Sequence, residues 1–346
     1  MPSSARPLIS VVIGTYKRAD DLDRAIASAL AQSGDDFEVV VGDDGSPDHT
    51  PAVIRKHSAD PRLRSYRNAT NLGMQENMLK VVREGRGHFI FILTDDDYMV
   101  PGALETARRI LAKYPDVGYV LSHLPTVDER TGGVVNLHRT FPTERLTPPG
   151  LESVSQIAGS AWVLSRQILR RDWIDWKTWE QYKTNIFFPI IAAGRMLLRA
   201  PCVYVAEPMV MHTWFNAVHW QAFGPNELEI ELNLATDRTR CMRAILHDQP
   251  SSAAVTAAID QWELGNFQSY LYLSHRGFYD LMRTLGLKPG LAKVRAGFDL
   301  TPGQRRELRL LPFKLPFVRA VVMAKAILRR LPPPVTDALK SLRGSG

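Results

Sequence analysis

The chain has 346 residues, 45% of them hydrophobic and 23% charged, with a formal net charge of +7. That length supports one large core with an appendage, or two domains, and the apolar content is ordinary for a soluble globular protein. Two distant cysteines, Cys202 and Cys241, give no disulfide framework and no metal-ligand spacing, which suits a reducing compartment. The pattern also predicts neither a secretory leader nor a spanning helix.

The charge is uneven. From Gly290 to Gly346 there are 12 Lys/Arg and 3 Asp/Glu, a net of +9, leaving 31 basic and 33 acidic residues before them. A basic tail asks for an anionic partner, a membrane surface or nucleic acid. Arg319, Lys325, Arg329 and Arg330 punctuate an apolar run holding Phe313, Phe317, Val321, Val322, Ile327 and Leu328. That is the pattern of a helix lying in a membrane interface, and it favours lipid over nucleic acid. The plainer alternative is a helical pair covering the rest of the chain.

In chain order, Leu8–Ile13 reads as a buried strand, followed by a polar turn through Gly14, Thr15, Tyr16, Lys17 and Arg18. Asp20 or Asp21 is expected to cap a helix bearing Leu22, Ala25, Ile26, Ala29 and Leu30 at helical spacing. Phe37–Val41 is a second strand, ending in Gly42, Asp43, Asp44, Gly45 and Ser46. A helix near Pro51–His57, a strand at Leu63–Arg67 and a helix opening at Asn71, Leu72 and Gly73 come next. Phe89–Thr94 is then a strand buried on both faces, and it stops at three successive carboxylates, Asp95, Asp96 and Asp97. Strands alternating with helices at this spacing predict right-handed βαβ units and a mostly parallel sheet.

Such sheets bind ligands beyond the carboxyl ends of their strands, where Thr15, Asp44 and Asp95–Asp97 all fall. Adjacent acids repel one another unless a cation or a donor-rich ligand sits among them. Hard oxygen donors suit Mg2+ or Mn2+, which share phosphate oxygens with a ligand. The plainer alternative is a turn in which one Asp caps the following helix. No G-x-G-x-x-G follows the first strand and no G-x-x-x-x-G-K-[ST] occurs, which speaks against dehydrogenases and P-loop enzymes.

The segments SVVIGTYKR, FEVVVGDDGSPDHT, NLGMQEN and FILTDDDYMVPGAL, in this order, resemble the family 2 glycosyltransferases of GT-A fold, and within them bacterial surface-polysaccharide enzymes such as abequosyltransferase-like members. The likeness is strong over Leu8–Ser122 and weak from there to about His212. It implies that Thr15 and Asp44 hold the nucleotide base, a carboxylate accepting a base N–H being a charge-assisted bond. Tyr16, Arg18, Gly45 and Asn77 would line the same nucleotide-sugar site. Asp96 would be the principal metal ligand, with Asp95 near the ribose or metal and Asp97 beside it. Two departures stand out: Thr94 where many relatives carry a further Asp, and Glu76 where many carry an Arg. For Asp44 the structural alternative is an Asx-turn, and for Lys17 and Arg18 it is solvated surface charge.

Beyond Ser122 the same likeness implies the acceptor half. Val117–Ser122 reads as a strand and Val127–Thr140 as a hairpin turning at Thr131, Gly132 and Gly133. Ser160–Ser165, with Trp162, reads as a strand near the acceptor. The catalytic base of inverting members lies in an ED motif, which this chain lacks. Glu180 is the nearest fit and Asp175 the reserve, against an ordinary helix-start acid. His212, after a strand expected at Leu198–Ala206, would add a metal ligand, against a structural hydrogen-bonding role. Trp173, Trp176, Trp179, Trp214 and Trp220 suit sugar rings but equally a core. From about Asn226 the pattern turns helical.

The expectation is therefore an α/β GT-A catalytic domain over residues 1–225, with a nucleotide-sugar half (1–122) and an acceptor half (123–225). A basic helical extension covers 226–346. The implied activity is a metal-dependent (Mn2+ or Mg2+) inverting hexosyl- or deoxyhexosyltransferase, cytoplasmic and peripheral on the inner face of the membrane. It would move a sugar from a nucleoside-diphosphate donor to a glycan or lipid-linked acceptor in bacterial surface-polysaccharide synthesis. Its partners include an anionic membrane surface but no nucleic acid. Two rivals are a catalytically impaired nucleotide-sugar-binding scaffold and a sugar-nucleotide nucleotidyltransferase. The latter lacks its triphosphate loop, because GTYKRADD is neither glycine-rich nor suitably basic.

Overall fold

The computed structural model describes residues 6–128, 131–138, 140–214, 227–272, 292 and 304–306. The basic amphipathic run at 313–330 and Trp220 lie outside them.

The first half follows from its sequence pattern. Strands β1 (Ile9–Thr15), β2 (Phe37–Asp43), β3 (Leu63–Arg67) and β4 (Phe89–Ile92) alternate with helices α1 (Ala19–Leu30), α2 (Thr50–Lys56) and α3 (Met74–Glu84). They lie in the order β3-β2-β1-β4, all parallel. β1 and β4 are central, so both faces are covered: Val11, Val12, Ile13, Ile90, Phe91 and Ile92 are fully buried. Each such side chain contributes about 1.5–3 kcal/mol of apolar burial. On α1, Leu22, Ala25, Ile26 and Ala29 form the stripe that meets the sheet. The helix starts at Ala19, earlier than expected. Arg18 stands at its N-cap, with no side-chain cap bond, so neither Asp20 nor Asp21 serves as the cap.

The second half departs from a purely parallel sheet. β5 (Tyr98–Met99) and α4 (Ala103–Lys113) lead into β6 (Tyr119–Asp128), longer than expected, which β7 (Val134–His138) folds back upon as the predicted hairpin. β8 (Arg145–Thr147), α5 (Leu151–Ile157), β9 (Gln167–Arg170), α6 (Trp176–Tyr182), α7 (Phe188–Leu197), β10 (Cys202–Pro208) and β11 (Val210–Trp214) follow. β9 runs antiparallel between β4 and β6, and joins the two halves. β10 and β11 are both parallel to β6, and β11 also pairs antiparallel with β5.

Ser160–Ser165 is not a strand. Ala158–Trp162 and Leu164–Arg166 are 3-10 turns, and the strand begins at Gln167. Gln167 fixes this bend, because its side-chain amide donates to the carbonyls of Ala161 and Val163. Likewise Leu198–Ala206 opens as the end of α7, and strand begins at Cys202.

Two compact units emerge, one from 1–222 with 240–258 and one from 223–239 with 259–346. Helices α8 (Glu227–Leu246) and α9 (Ala253–Tyr272) match the expected helical run. In the first unit Arg195 grips Asp248 with two nitrogens, and in the second the Trp262 indole donates to the Arg238 carbonyl. Cys202 and Cys241 are free and buried. Among the described residues no helix is long and apolar enough to cross a membrane.

Candidate functional site

The carboxyl ends of β1, β2 and β4 meet at one edge of the sheet. β1 hands over to Thr15, whose carbonyl accepts the Asp44 N–H at 2.9 Å, so the ends of β1 and β2 are tied. The Thr15 hydroxyl is buried and leans toward Asp95 without a well-formed hydrogen bond. Tyr16 follows, with the Lys17 ammonium 5.1 Å from its ring centroid. Lys17 adopts φ 58°, a left-handed residue that turns the chain before α1. Arg18 then points inward: its Nη1 is 2.7 Å from Asp96 Oδ2 and 3.8 Å from Asp95 Oδ1.

Asp44 is an anchor. Its Oδ1 accepts from the Asn68 amide (2.8 Å) and the Leu72 N–H (2.9 Å), and its Oδ2 from the Gly73 N–H (2.9 Å). A carboxylate has about four lone-pair sites, so one remains. Gly45 sits at φ +74°, and a Cβ there would come within 3.1 Å of the Thr70 carbonyl carbon. Backbone geometry alone already requires a glycine there. Asn77 is also a brace: it donates to the Gly42 carbonyl at 2.8 Å and accepts from Asn68 at 3.1 Å, wholly inside the protein. The expectation that Asn77 lines the site is corrected accordingly. Glu76, where an Arg was expected, pairs with Lys183 at 2.6 Å.

The triplet is the electrostatic centre. Asp95, Asp96 and Asp97 are all buried. Burial first, and the neighbouring Asp96 second, push Asp95 up to about 7 despite the Arg18 guanidinium. Asp97 is fully buried and satisfied within the fold. Its Oδ2 accepts from the Thr94 hydroxyl (3.0 Å), its Oδ1 from the Thr213 N–H (3.0 Å), and His212 Nδ1 lies 2.9 Å from that same Oδ1. Three of the about four lone-pair sites of Asp97 are thus taken up inside the protein, where it bridges the end of β4 and β11. For His212, burial works to lower the pKa, and the bond to Asp97 with the charges of Asp97 and Asp96 outweighs it, so the pKa is raised.

Residues that pattern reading missed hold this edge in place. Ser165 accepts the Thr94 N–H at 2.8 Å and pairs with its hydroxyl at 2.6 Å, while Arg24 and the Thr213 hydroxyl both donate to the Asp96 carbonyl. Thr94, noted only as a departure from the family pattern, replaces a further acid with a donor to Asp97. Trp162, 42% exposed, stands three residues before Ser165.

Glu180 and Asp175 are not part of this edge. Asp175 caps α6, accepting from Thr178 N–H (3.2 Å) and hydroxyl (2.9 Å), and pairs with Arg199 at 3.1 Å. With Trp173, Trp176, Met196 and Arg199 it lines a cleft of ≈ 460 Å³. This cleft follows Arg171, whose N–H bonds the His88 carbonyl at the start of β4. It therefore lies at the opposite edge of the sheet from Asp95–Asp97. Glu180 pairs with Arg83, in the last turn of α3, at 2.6 Å and with Lys183 at 3.1 Å. Lys183 first and Arg83 second hold its pKa below the usual carboxylate range. Asp175 is thus a helix cap at the opposite edge, and the expectation that it is a reserve base is corrected, whereas Glu180 sits in ion pairs on the flank of α3.

A divalent cation fits this edge in one respect. Arg18 already places one positive nitrogen against both Asp95 and Asp96, so a cation there can meet both carboxylates. Among the described residues no group of three or more His, Cys, Asp or Glu forms a metal cage. Held by Asp95 and Asp96, such an ion would take its remaining ligands from water and a ligand's phosphates.

The family 2 glycosyl transferase model matches residues 10–173, which contain the whole Asp-lined edge apart from His212 and Thr213. Residues 10–173 are a family 2 glycosyltransferase domain. Among curated relatives, a glucosyltransferase of Campylobacter jejuni, named as acting on a GalNAc(5)-diNAcBac-PP-undecaprenol, is 29% identical over 46% of this chain and 48% of its own. A succinoglycan biosynthesis protein of Rhizobium meliloti is 38% identical over 32% of this chain and 31% of its own. The matches span at most about half the length of these relatives. The glycosyltransferase domain has the GT-A fold. A solved structure of Staphylococcus aureus TarS with UDP-GlcNAc aligns at a TM-score of 0.61 and 16% identity, covering 90% of this chain and 87% of that one. A mannosyltransferase of Pyrobaculum calidifontis with GDP-Man and Mn2+ aligns at 0.52 and 17% identity, covering 99% and 89%.

Proposed function

We propose that the chain is a metal-dependent, inverting glycosyltransferase that moves a hexosyl or deoxyhexosyl unit from a nucleoside-diphosphate sugar to a glycan or lipid-linked acceptor in bacterial surface-polysaccharide synthesis. One observation carries the reading: Thr15, Asp44, Arg18, Asp95 and Asp96 converge at one strand-end edge inside the family 2 domain. The remaining lone pair of Asp44 and the Thr15 hydroxyl suit the edge of a pyrimidine or purine base. Arg18 suits the diphosphate, and Trp162 offers an aromatic face to a sugar ring. Asp96 with Asp95 would hold Mg2+ or Mn2+, and Asp97 fixes the orientation of the His212 ring beside them. When bound, that cation supplies charge stabilisation to the departing diphosphate. Bond-making is then a direct displacement: the acceptor hydroxyl attacks the anomeric carbon, the C–O bond to diphosphate breaks, and the hydroxyl proton passes to the departing diphosphate or to solvent. The triplet's burial keeps bulk water from competing at that carbon.

The bonding of Glu180 and Asp175 favours a second reading, a nucleotide-sugar-binding scaffold with little transfer. Release of nucleoside diphosphate from UDP-, dTDP-, GDP- or CDP-sugars in the presence of Mn2+ separates the two. Release stimulated by acceptor supports the transferase, and binding without release supports the scaffold. The basic segment from Gly290 onward is proposed to hold the protein on the inner, anionic face of the membrane. Each Lys or Arg near such a surface contributes about 1 kcal/mol. Equal flotation with anionic vesicles of the full chain and a chain truncated after Pro289 overturns that role.

A further inference from the structure

We propose that the cleft at the strand-start edge is a second ligand site, one that holds a neutral stretch of saccharide chain far from the Asp-lined edge. Its binding chemistry stands by itself; only its use, retaining an acceptor or product glycan, rests on the glycosyltransferase reading. The cleft of ≈ 460 Å³ falls within the usual size of small-ligand sites, about 300–1,000 Å³. At about 3.3 Å per residue, the seven residues of β1 set the two edges of the sheet about 20 Å apart.

Two indoles line the cleft, and both are held. Trp173 is 41% exposed, yet its ring lies so close to Gly118 that a Cβ there would come within 2.5 Å of Trp173 Cε3. The Arg170 guanidinium is 5.0 Å from the Trp173 ring centroid, and the Arg83 guanidinium is 5.3 Å from that of Trp176. Arg170 is itself fixed, donating to the Val117 carbonyl at 2.9 Å. An exposed indole held in this way loses little freedom when a ligand stacks on it. Buried Ile174, Met196 and Ala200 complete the apolar lining.

The polar lining selects the occupant. Asp172 pairs with Arg6 and Asp175 with Arg199, so each acid is already matched by a cation. Asp175 is largely taken up by the Thr178 N–H, the Thr178 hydroxyl and Arg199. Asp172 keeps lone pairs beyond its bonds to Arg6, and among the described residues no hydrogen bond engages Arg199 Nη1. A phosphate would meet two carboxylates here, and an ammonium would meet Arg199. A hydrocarbon chain would cover the side chains of Asp172 and Arg199, which are 59% and 56% exposed, and take them from water without new partners. A sugar suits all of these groups. Its C–H face lies on an indole, while its hydroxyls donate to Asp172 and accept from Arg199.

The test labels the seven tryptophans of the full chain with fluorotryptophan and follows them by fluorine NMR. Trp173→Phe and Trp176→Phe assign the two signals. The probes are tetrasaccharides of glucose, N-acetylglucosamine, mannose and galactose, with tetraethylene glycol as the non-sugar control. At least one tetrasaccharide should move both signals saturably, and the glycol should move neither. Arg199→Ala should weaken that binding roughly three- to tenfold, and Trp173→Ala roughly tenfold. Thermal melts show whether each variant is folded; Arg199 is at the surface, so its variant carries the test if Trp173→Ala does not fold.

The proposal is overturned if no tetrasaccharide moves either signal, if the glycol moves them equally, or if Arg199→Ala binds as tightly as the unaltered protein. A shift of Trp162 alone also overturns it, and supports the transferase reading, because sugar then binds only at the strand-end edge. Saturable shifts of Trp173 and Trp176 in a protein that releases no nucleoside diphosphate from any donor sink the transfer reading and leave the cleft standing.

Discussion

Both edges of this sheet are built from the same materials, aspartate, glutamate and arginine, and only one of them looks like a place for chemistry. At the strand-start edge, Asp172 pairs with Arg6 and Asp175 with Arg199, while on the flank of α3 Glu180 pairs with Arg83 and Lys183. Positive charge there matches or exceeds negative, and most partners reach solvent. At the strand-end edge three buried acids lie side by side, with Arg18 and His212 against them, and Asp95 is driven up to about 7. The residue types do not distinguish a site from a surface ion pair; the burial of adjacent like charges does. Five substitutions test how deep that difference runs.

The largest effect is expected at Asp96. Asp96→Asn should reduce nucleoside-diphosphate release by roughly 10²–10³-fold, the usual loss when a key charge stabiliser is removed, with the melting temperature little changed. Release within tenfold of the unaltered protein would mean that the strand-end edge is not the reacting one. Asp97→Ala should act on the fold instead. It strands His212 and the Thr213 N–H inside the protein, a loss of about 3–5 kcal/mol by denaturant titration. A loss below about 1 kcal/mol would remove its role as a bridge.

Asp95 has the opposite sign. Its folded pKa lies above its unfolded one, so the folded chain holds a proton that the unfolded chain has already released. Stability contributed by this group therefore falls as pH rises from about 4 to about 7. In chelator and without nucleotide, Asp95→Asn should raise the melting temperature at pH 8, and the gain should shrink toward pH 5. An equal gain at both pH values would show that its carboxyl is not desolvated as described. The smallest effects belong to the acids held in ion pairs away from the triplet. Glu180→Gln and Asp175→Asn should each leave transfer within about twofold, Asp175→Asn costing about 1 kcal/mol of capping. Loss of transfer in either one would erase the contrast between the edges.

Much of the strand-end edge was readable in advance, because it is made of local features. A strand buried on both faces, a polar turn and a run of acids are contiguous in sequence, and the βαβ rhythm places their ends together. What pattern reading missed is non-local. Asp97 looks like a third ligand until β11 brings Thr213 and His212 to it from more than a hundred residues away. Asn77 looks like a pocket residue until it is seen bracing Gly42 and Asn68. Ser160–Ser165 has the composition of a strand, but Gln167 spends its amide on two of its carbonyls and bends it. The base was sought by distance to Ala193 and Gly194, a measure that cannot tell which edge of the sheet a residue faces.

The antiparallel placement of β9 carries a consequence for biosynthesis. β4 pairs with β1 on one side, but its other side waits for β9, whose Ile168 lies 77 residues beyond its partner Phe91. At roughly 5–20 residues per second, a nascent chain exposes the apolar edge of Phe89–Ile92 for about 4–15 seconds. An unpaired strand of that composition recruits other strands, including those of neighbouring copies. Translation speed between Gly102 and Arg170 should therefore govern the yield of folded protein. Slowing that stretch with rare codons should increase aggregation, whereas slowing the stretch after Arg170 should not.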